Sequence, residues 1–325
     1  MIFPSLRRLL LLAGLAAPLA ATAAGGVRAY KGAIVMDAAS GSVLYEDHAD
    51  EMSPPASMTK LMTFAVLEDR IASGQLALDT PVTVTAADAK VGMLRDSTSV
   101  WLKNHEVFPI EELIYAMMIQ SANDAAYVVA RTVGGSIPAF VTMMNAKARS
   151  LGMTHTIFRS PNGLPPPSRR LSEGDLTTPR DFAILSRYLI LHTNILKYTS
   201  VKSRQFGAGR RWPPTQMINH NHLLGRIAGV DGLKTGFTGG AGFCLAATAQ
   251  RNGRRIIVVM MDSPDSKSRD LKVAQLIEVG FSASLPTLVA KPAGVPRAVA
   301  VPASPAAPTA PTRPGAAPLI EYHPR

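Results

Sequence analysis

The stretch PPASMTKLMTFAVLEDRIA, residues 54–72, combines a clear structural signal with a chemical one. Pro54 and Pro55 end any extended structure before them, because proline lacks the N–H that a strand uses. The apolar residues that follow recur at the spacing of one helix face. They are Met58, Leu61, Met62, Ala65, Val66 and Ile71. This spacing predicts a helix over Ser57–Ala72, with Ser57 at or near its first turn.

Ser57 and Lys60 stand three residues apart in this stretch. On a helix, that spacing puts both side chains on one face, where they can touch. A serine hydroxyl is a weak nucleophile until a base takes its proton, and lysine can be that base where burial or nearby positive charge lowers its pKa. The free N–H groups of a helix start would also favour a developing oxyanion. Taken alone, the pair has an ordinary alternative, a capping serine and a solvated lysine.

Strands are expected toward both ends of the chain. Residues Ala33–Glu46 contain two apolar runs around a turn, which predicts a hairpin. The apolar runs Gly242–Gln250 and Arg255–Met261 are joined through Asn252-Gly253, the strongest short hairpin signal. Further helices are predicted at Pro109–Gln120, Asp124–Val133, Ile137–Leu151, Thr178–His192 and Ser266–Phe281. The predicted fold class is α/β in the broad sense (α+β), with one antiparallel sheet from both chain ends, flanking helices and a helical lobe from the middle.

Two more polar motifs lie at defined places in these elements. Ser121-Ala122-Asn123 falls between two predicted helices, where a hydroxyl can relay a proton and an amide can hold a carbonyl. Lys234-Thr235-Gly236 precedes the last hairpin and is expected on a strand, where lysine can attract a carboxylate and glycine admits a substrate backbone. Each motif alone also suits a helix cap or a surface lysine. In the order Ser-x-x-Lys, Ser-x-Asn, Lys-Thr-Gly, the joint pattern is specific.

The chain resembles the low-molecular-mass penicillin-binding proteins, the serine-type D-alanyl-D-alanine carboxypeptidases of peptidase family S11. The likeness runs from about Ala33 to Phe281 and includes three longer segments, Pro55–Thr63, Ile119–Ala126 and Val230–Thr238. The resemblance implies the fold shared by serine β-lactamases and penicillin-binding proteins. It also implies an enzyme that removes the terminal D-alanine from peptidoglycan stem pentapeptides through an acyl-enzyme, that β-lactam antibiotics inhibit, and that needs no cofactor or metal.

The same resemblance assigns roles to nine residues. Ser57 is the acylated nucleophile, Lys60 the general base and Ser121 a proton relay. The expected substrate-binding residues are Asn123 for the substrate amide, Lys234, Thr235 and Arg269 for the terminal carboxylate, Gly236 beside the substrate backbone, and Phe237, whose N–H forms the oxyanion hole with that of Ser57.

Four alternatives remain open at this point. An endopeptidase that cuts D-alanyl-D-alanine cross-links would use the same site, and a non-catalytic protein that binds wall peptides or penicillin would retain it. A class A β-lactamase needs a glutamate that activates deacylating water, and the segment between the second and third motifs offers Glu173. A zinc peptidase could use His220 and His222, although their surroundings favour a polar loop beside the active-site strand.

The chain ends predict export. Arg7 and Arg8, an apolar run over Leu9–Ala21 and small residues after it are typical of a signal peptide, so we expect residues 1–23 to be removed. The catalytic domain is expected at residues 24–284 and a disordered Pro/Ala-rich tail at 285–325. Many family members continue into a β-rich domain and a membrane-binding amphipathic helix, whereas only this tail follows Phe281. We therefore expect a periplasmic or secreted enzyme with no stable membrane anchor after cleavage.

Composition limits the partners and the redox chemistry. The net charge is +11, but lysine and arginine are spread along the chain without the dense cluster that nucleic-acid grooves need, so no nucleic-acid partner is expected. Anionic cell-wall polymers or lipid surfaces, or simply a solvated basic face, account for the charge. Cys244 is the only cysteine, which excludes an intramolecular disulfide, and its apolar neighbours predict a buried, inert thiol.

Overall fold

The structure is a computed structural model that describes residues 29–284. Its centre is a five-stranded antiparallel sheet with the strand order β2-β1-β9-β8-β7. The strands are β1 (Gly32–Asp37), β2 (Val43–Asp47), β7 (Val230–Thr238), β8 (Gly242–Arg251) and β9 (Arg254–Ser263). Strands from both ends of the described chain therefore share one sheet, and β7 forms one of its edges.

Alternate residues of these strands bury two faces of the sheet, as the two-residue period of a strand requires. Val35 and Val258 pair directly between β1 and β9 and pack against Ile277 of helix α8 (Ser266–Ser282). Ile34, the neighbour of Val35, instead belongs to the larger core that the remaining helices share. Both faces are covered, which is why these strands contain near-continuous apolar runs.

The helical lobe comes from the middle of the chain. Its helices are α1 (Lys60–Ala72), α2 (Ala86–Gly92), α3 (Ile110–Tyr115), α4 (Asn123–Gly134), α5 (Ile137–Ser150), α6 (Pro179–His192) and α7 (Ile195–Thr199). Two small hairpins accompany them, one of β3 (Pro81–Thr83) and β4 (Val107–Pro109) and one of β5 (Ser203–Phe206) and β6 (Thr215–Ile218). The Thr178 side chain caps α6 by accepting from the N–H of Asp181, with Pro179 in the first turn.

The predicted fold class and sheet are confirmed, with local differences. The helix predicted from Ser57 opens with a 3₁₀ turn over Ala56–Thr59. The helix predicted over Pro109–Gln120 is α3 followed by a π-helical turn over Ala116–Gln120. Asn252 and Gly253 both have positive φ, as the predicted tight hairpin requires. The strands β3 to β6 and the short helices α2 and α7 were not predicted.

The predicted signal peptide and the predicted Pro/Ala tail lie outside the described residues. Within residues 29–284, none of the helices combines the length and apolar character that crossing a bilayer requires.

Candidate active site

The 3₁₀ turn Ala56–Thr59 presents Ser57 to a cavity of about 330 Å³. Ser57 is half-buried, whereas Ala56, Met58 and Thr59 are buried. Two glycines pack tightly on this turn. A Cβ built on Gly163 would lie 1.9 Å from the carbonyl oxygen of Ala56, and one on Gly236 would lie 2.5 Å from that of Pro55. The backbone that carries the serine is therefore held between a loop and the edge strand β7.

Lys60, at the start of α1, is buried directly beneath this serine. Its Nζ donates to the Oγ of Ser57 at 2.9 Å, to the Oδ1 of Asn123 at 2.7 Å and to the carbonyl oxygen of Asn162 at 2.9 Å. All three acceptors are neutral, so no carboxylate compensates the ammonium charge by direct contact. Burial first, and then the positive charge of Lys234, lowers the pKa of Lys60 well below its usual range. A lysine whose pKa is lowered in this way gives up its proton more readily than a solvated lysine and can act as a base.

The second motif lies where the π-helical turn meets α4. Ser121 adopts a left-handed conformation with φ 65°, and its buried Oγ has no hydrogen-bond partner within the described residues. Ser121 lines the same cavity as Ser57. Asn123 accepts from Lys60 and donates one amide hydrogen to the Oγ of Ser97 at 3.1 Å. An amide carries two such hydrogens, which leaves one for a ligand.

The third motif lies on the edge strand β7. Lys234 is buried, and its Nζ donates to the carbonyl oxygen of Thr235 at 3.0 Å. Burial, and then the nearby charge of Arg269, lowers the pKa of Lys234 to about 7. Thr235, Gly236 and Phe237 line the cavity of Ser57 together with Arg269.

Arg269 and Phe237 flank the third motif. The buried guanidinium of Arg269 is paired with the carboxylate of Asp270 at 2.7 Å. The Phe237 ring is half exposed and stacks on Phe243 with centroids 4.1 Å apart. Stacking holds this end of the edge strand beside the nucleophile turn.

All nine predicted site residues are thus brought close to Ser57. Six of them line its cavity directly, and Lys60 and Asn123 are joined to Ser57 through hydrogen bonds. Lys234 is the one whose side chain bonds only to its own strand.

Two further residues support the site and were not predicted. The carbonyl of Asn162 accepts from Lys60 across 102 residues of chain. Asp175 is buried and accepts from the Oγ1 of Thr59 at 2.7 Å and from the N–H groups of Arg159 at 2.7 Å and Ser160 at 3.0 Å. Asp175 thereby ties its loop to the turn of Ser57. Burial raises the pKa of Asp175 although these hydrogen bonds act in the opposite direction.

The residues of the alternative hypotheses lie differently. Glu173 is absent from the lining of the Ser57 cavity, and its carboxylate pairs with Arg170 at 3.3 Å, so it is not placed as a deacylating base. His220 and His222 do line the cavity. However, residues 29–284 contain no group of three or more histidine, cysteine and acidic side chains that could hold a metal ion.

The surroundings of His220, His222 and Cys244 agree with a polar loop at the two histidines and an inert thiol at the cysteine. His222 contacts Asp270 through Nδ1 at 3.0 Å. Burial and neighbouring cations lower the pKa of His220 to about 4, so its imidazole is neutral at physiological pH. Burial raises the pKa of the Cys244 thiol to about 12, which leaves almost no thiolate to react.

Fold and site together define a class of proteins. In this class a serine at the start of a helix accepts a hydrogen bond from a buried lysine and faces the edge strand of an antiparallel sheet. Residues 20–265 match the family model of peptidase S11, described as D-alanyl-D-alanine carboxypeptidase. The chain belongs to this family, which confirms the resemblance seen in its motifs.

Named relatives and solved structures agree with this assignment. D-alanyl-D-alanine carboxypeptidase DacF of Bacillus subtilis is 31% identical over 78% of this chain and 62% of its own length. DacC of Escherichia coli is 36% identical over 76% and 60%. The chain therefore spans about three fifths of the length of these relatives.

Solved structures extend the match to the fold. D-alanyl-D-alanine carboxypeptidase DacD of Francisella tularensis superposes with a TM-score of 0.73 at 26% identity, covering 78% of this chain and 70% of its own. Penicillin-binding protein D2 of Listeria monocytogenes, solved in an ampicillin-bound form, has a TM-score of 0.68 at 31% identity and covers 78% and 97%.

Proposed function

We propose that this chain is a serine D-alanyl-D-alanine carboxypeptidase that removes the terminal D-alanine of peptidoglycan stem pentapeptides and is inhibited by β-lactams. The observation that carries the proposal is the 2.9 Å hydrogen bond from a fully buried lysine, Lys60, to the Oγ of Ser57. The names of the relatives supply the substrate class. This substrate lies outside the cytoplasm, so the activity requires the export that residues 1–23 predict.

Acylation begins when neutral Lys60 takes the proton of the Ser57 hydroxyl. The Oγ of Ser57 then forms a bond to the carbonyl carbon between the two D-alanines, and the carbonyl π electrons move onto its oxygen. The N–H groups of Ser57 and Phe237 are the proposed donors to this oxyanion. The free amide hydrogen of Asn123 is the proposed donor to the substrate backbone.

Collapse of that intermediate breaks the bond to the leaving nitrogen. The nitrogen needs a proton, and the unpartnered hydroxyl of Ser121 in the same cavity can pass it on from Lys60. The terminal D-alanine leaves with its new amino group, and the rest of the stem stays as an ester on Ser57. Water then attacks the ester carbonyl and gives a proton to Lys60. The bond to Oγ of Ser57 breaks, the shortened stem leaves with a new carboxyl group, and Lys60 returns the proton to Oγ.

Positive charge sets the orientation of the substrate. Lys234 and Arg269 are buried near Thr235, so a negative group that enters the cavity meets poorly solvated cations. We assign the terminal carboxylate to this end. The requirement for a C-terminal carboxylate is what makes the proposed reaction a carboxypeptidase reaction rather than cleavage inside a chain.

The test is release of free D-alanine from a stem pentapeptide and, in parallel, cleavage of a cross-linked dimer. Wild type is compared with Ser57→Ala and with Ser150→Ala, a matched change at an exposed serine that ends α5. We expect release from the pentapeptide by wild type and Ser150→Ala and none by Ser57→Ala. Cleavage of the dimer alone would replace the proposal with an endopeptidase. Absence of Ser57-dependent turnover on both would leave a non-catalytic binder.

A further inference from the structure

A second cavity, of about 480 Å³, lies beside the nucleophile turn. Its walls are the segment that carries Leu94 and Arg95, the side chain of Tyr127 and the loop of residues 159–175. It shares none of its described lining residues with the cavity that holds Ser57 and Arg269. The proposed reaction has so far used only the first of these cavities.

One hydrogen bond connects a lining residue of this second cavity to the catalytic lysine. Asn162, which lines it, accepts from Lys60 through its carbonyl oxygen at 2.9 Å. Ser97, which follows Arg95 by two residues, accepts from Asn123, whose Oδ1 in turn accepts from Lys60, but Ser97 does not itself line the second cavity. Lys60 therefore contacts one lining residue of each cavity, Ser57 in the first and Asn162 in the second.

The direction of the substrate decides which part of it reaches the second cavity. The proposed function places the C-terminal carboxylate among Thr235, Lys234 and Arg269, and the scissile carbonyl at Ser57. The acyl part of the peptide must continue away from those cations. Lys60 also donates to the carbonyl oxygen of Asn162, which lines the second cavity, so we take this cavity as the space that receives the acyl part.

The second cavity has unmatched positive charge. Its charged lining residues are Arg95, Arg159, Arg169, Glu173 and Asp175. The last three have partners: Arg169 pairs with Asp96 at 3.2 Å, Glu173 pairs with Arg170, and Asp175 is buried under hydrogen bonds from its own loop and Thr59. Arg95 and Arg159 are exposed and lie within ion-pair distance of no carboxylate in residues 29–284.

A buried hydrogen-bond donor, the side-chain amide of Asn162, lines the same cavity as the two arginines. The Nδ2 of Asn162 is buried and has no hydrogen-bond partner within the described residues. An unsatisfied buried amide is costly, so a ligand that accepts from it would recover part of that cost. A carboxylate suits all three groups, because it accepts several hydrogen bonds and pairs with guanidinium forks.

We propose that this cavity binds a free carboxylate of the stem peptide on the acyl side of the scissile bond, through Arg95, Arg159 and Asn162. This inference rests on the proposed function, since that function sets the direction of the peptide. Two positions of a stem can supply the carboxylate. One is the side chain of an acidic diamino acid next to the penultimate D-alanine, and the other is the α-carboxylate of a γ-linked D-glutamate before it.

The experiment uses four pentapeptides that carry either a free carboxylate or its amide at each of these two positions. The measurement is kcat/KM for D-alanine release by wild type, Arg95→Gln, Arg159→Gln and the double variant. Arg149→Gln is the matched control, because Arg149 is an exposed arginine in the last turn of α5 and lines neither cavity. Thermal unfolding confirms that each variant is folded.

We expect wild type and Arg149→Gln to favour a carboxylate over its amide at one position by about 1.5- to fivefold, the range for exposed ion pairs. In the double variant the ratio should fall to near one, and the position affected identifies the source. Equal kcat/KM for all four peptides in wild type would overturn the subsite, as would a preference that survives the double change. Absence of release from every peptide would overturn the proposed function and the subsite with it.

Discussion

Replacement of Gly163 by alanine should disable the site without touching any catalytic side chain. The added Cβ would lie 1.9 Å from the carbonyl oxygen of Ala56, whereas real Cβ contacts stay beyond 3.0 Å. The loop or the nucleophile turn must therefore move by about 1.1 Å. A misplacement of about 1 Å at a reacting centre costs about 100-fold in rate. We expect the rate of acylation by a fluorescent penicillin to fall by about that factor.

The control separates this displacement from backbone strain. Gly163 has φ +80°, and Gly152 has φ +81° with no other atom within 4 Å of a built Cβ. Alanine at either position adopts a left-handed conformation that costs about 1–2 kcal/mol of stability. Gly152→Ala should therefore lower the unfolding midpoint and keep the acylation rate, whereas Gly163→Ala should lower both. Acylation of Gly163→Ala within about threefold of wild type would refute the idea that this contact positions Ser57.

Three further predictions concern ionisation. Lys60→Arg keeps a permanent positive charge where a base is needed, so the rate of Ser57 acylation should fall by about 10²–10⁴-fold. The rise of that rate with pH, expected in wild type, should also disappear. The measurement is a stopped-flow pH profile, and a retained rate would contradict the role of Lys60 as base. Lys234 loses its charge as pH rises through about 7, so KM for a pentapeptide should increase above that pH, and Lys234→Arg should flatten the increase. Cys244, with its pKa near 12, should react with a thiol reagent only after unfolding, and fast labelling of the native protein would show that it is accessible.

The main catalytic features could be predicted because each depends on residues that are close together in the sequence. Ser57 and Lys60 are neighbours on one helical turn, so their 2.9 Å contact follows from a three-residue spacing. The hairpin of β8 and β9 follows from two apolar runs and the pair Asn252-Gly253. The sheet and the helical lobe could be inferred because their elements contain strong periodic patterns.

The remainder depends on long-range contacts that no short pattern contains. Asn162 meets Lys60, and Asp175 meets Thr59, across 102 and 116 residues of chain. Neither residue differs in its sequence neighbourhood from ordinary loop residues. The hairpins of β3 to β6 have strands of only three or four residues, too short for a periodic signal. The left-handed backbone at Ser121 is likewise set by the π-helical turn before it and not by its residue type.

The pairing of β1 with β9 is a long-range contact, which we expect to form late in folding. Val35 and Val258 lie opposite each other on neighbouring strands, although more than two hundred residues separate them, so closing this ladder carries a large cost in loop entropy. The contacts within the helical lobe are more local and can form sooner. Part of the lowered pKa of Lys60 comes from the charge of Lys234, which lies on β7, so this part requires β7 to be in place. A chain that has not yet completed its last third therefore lacks the site residues of β7 and cannot assemble the candidate active site.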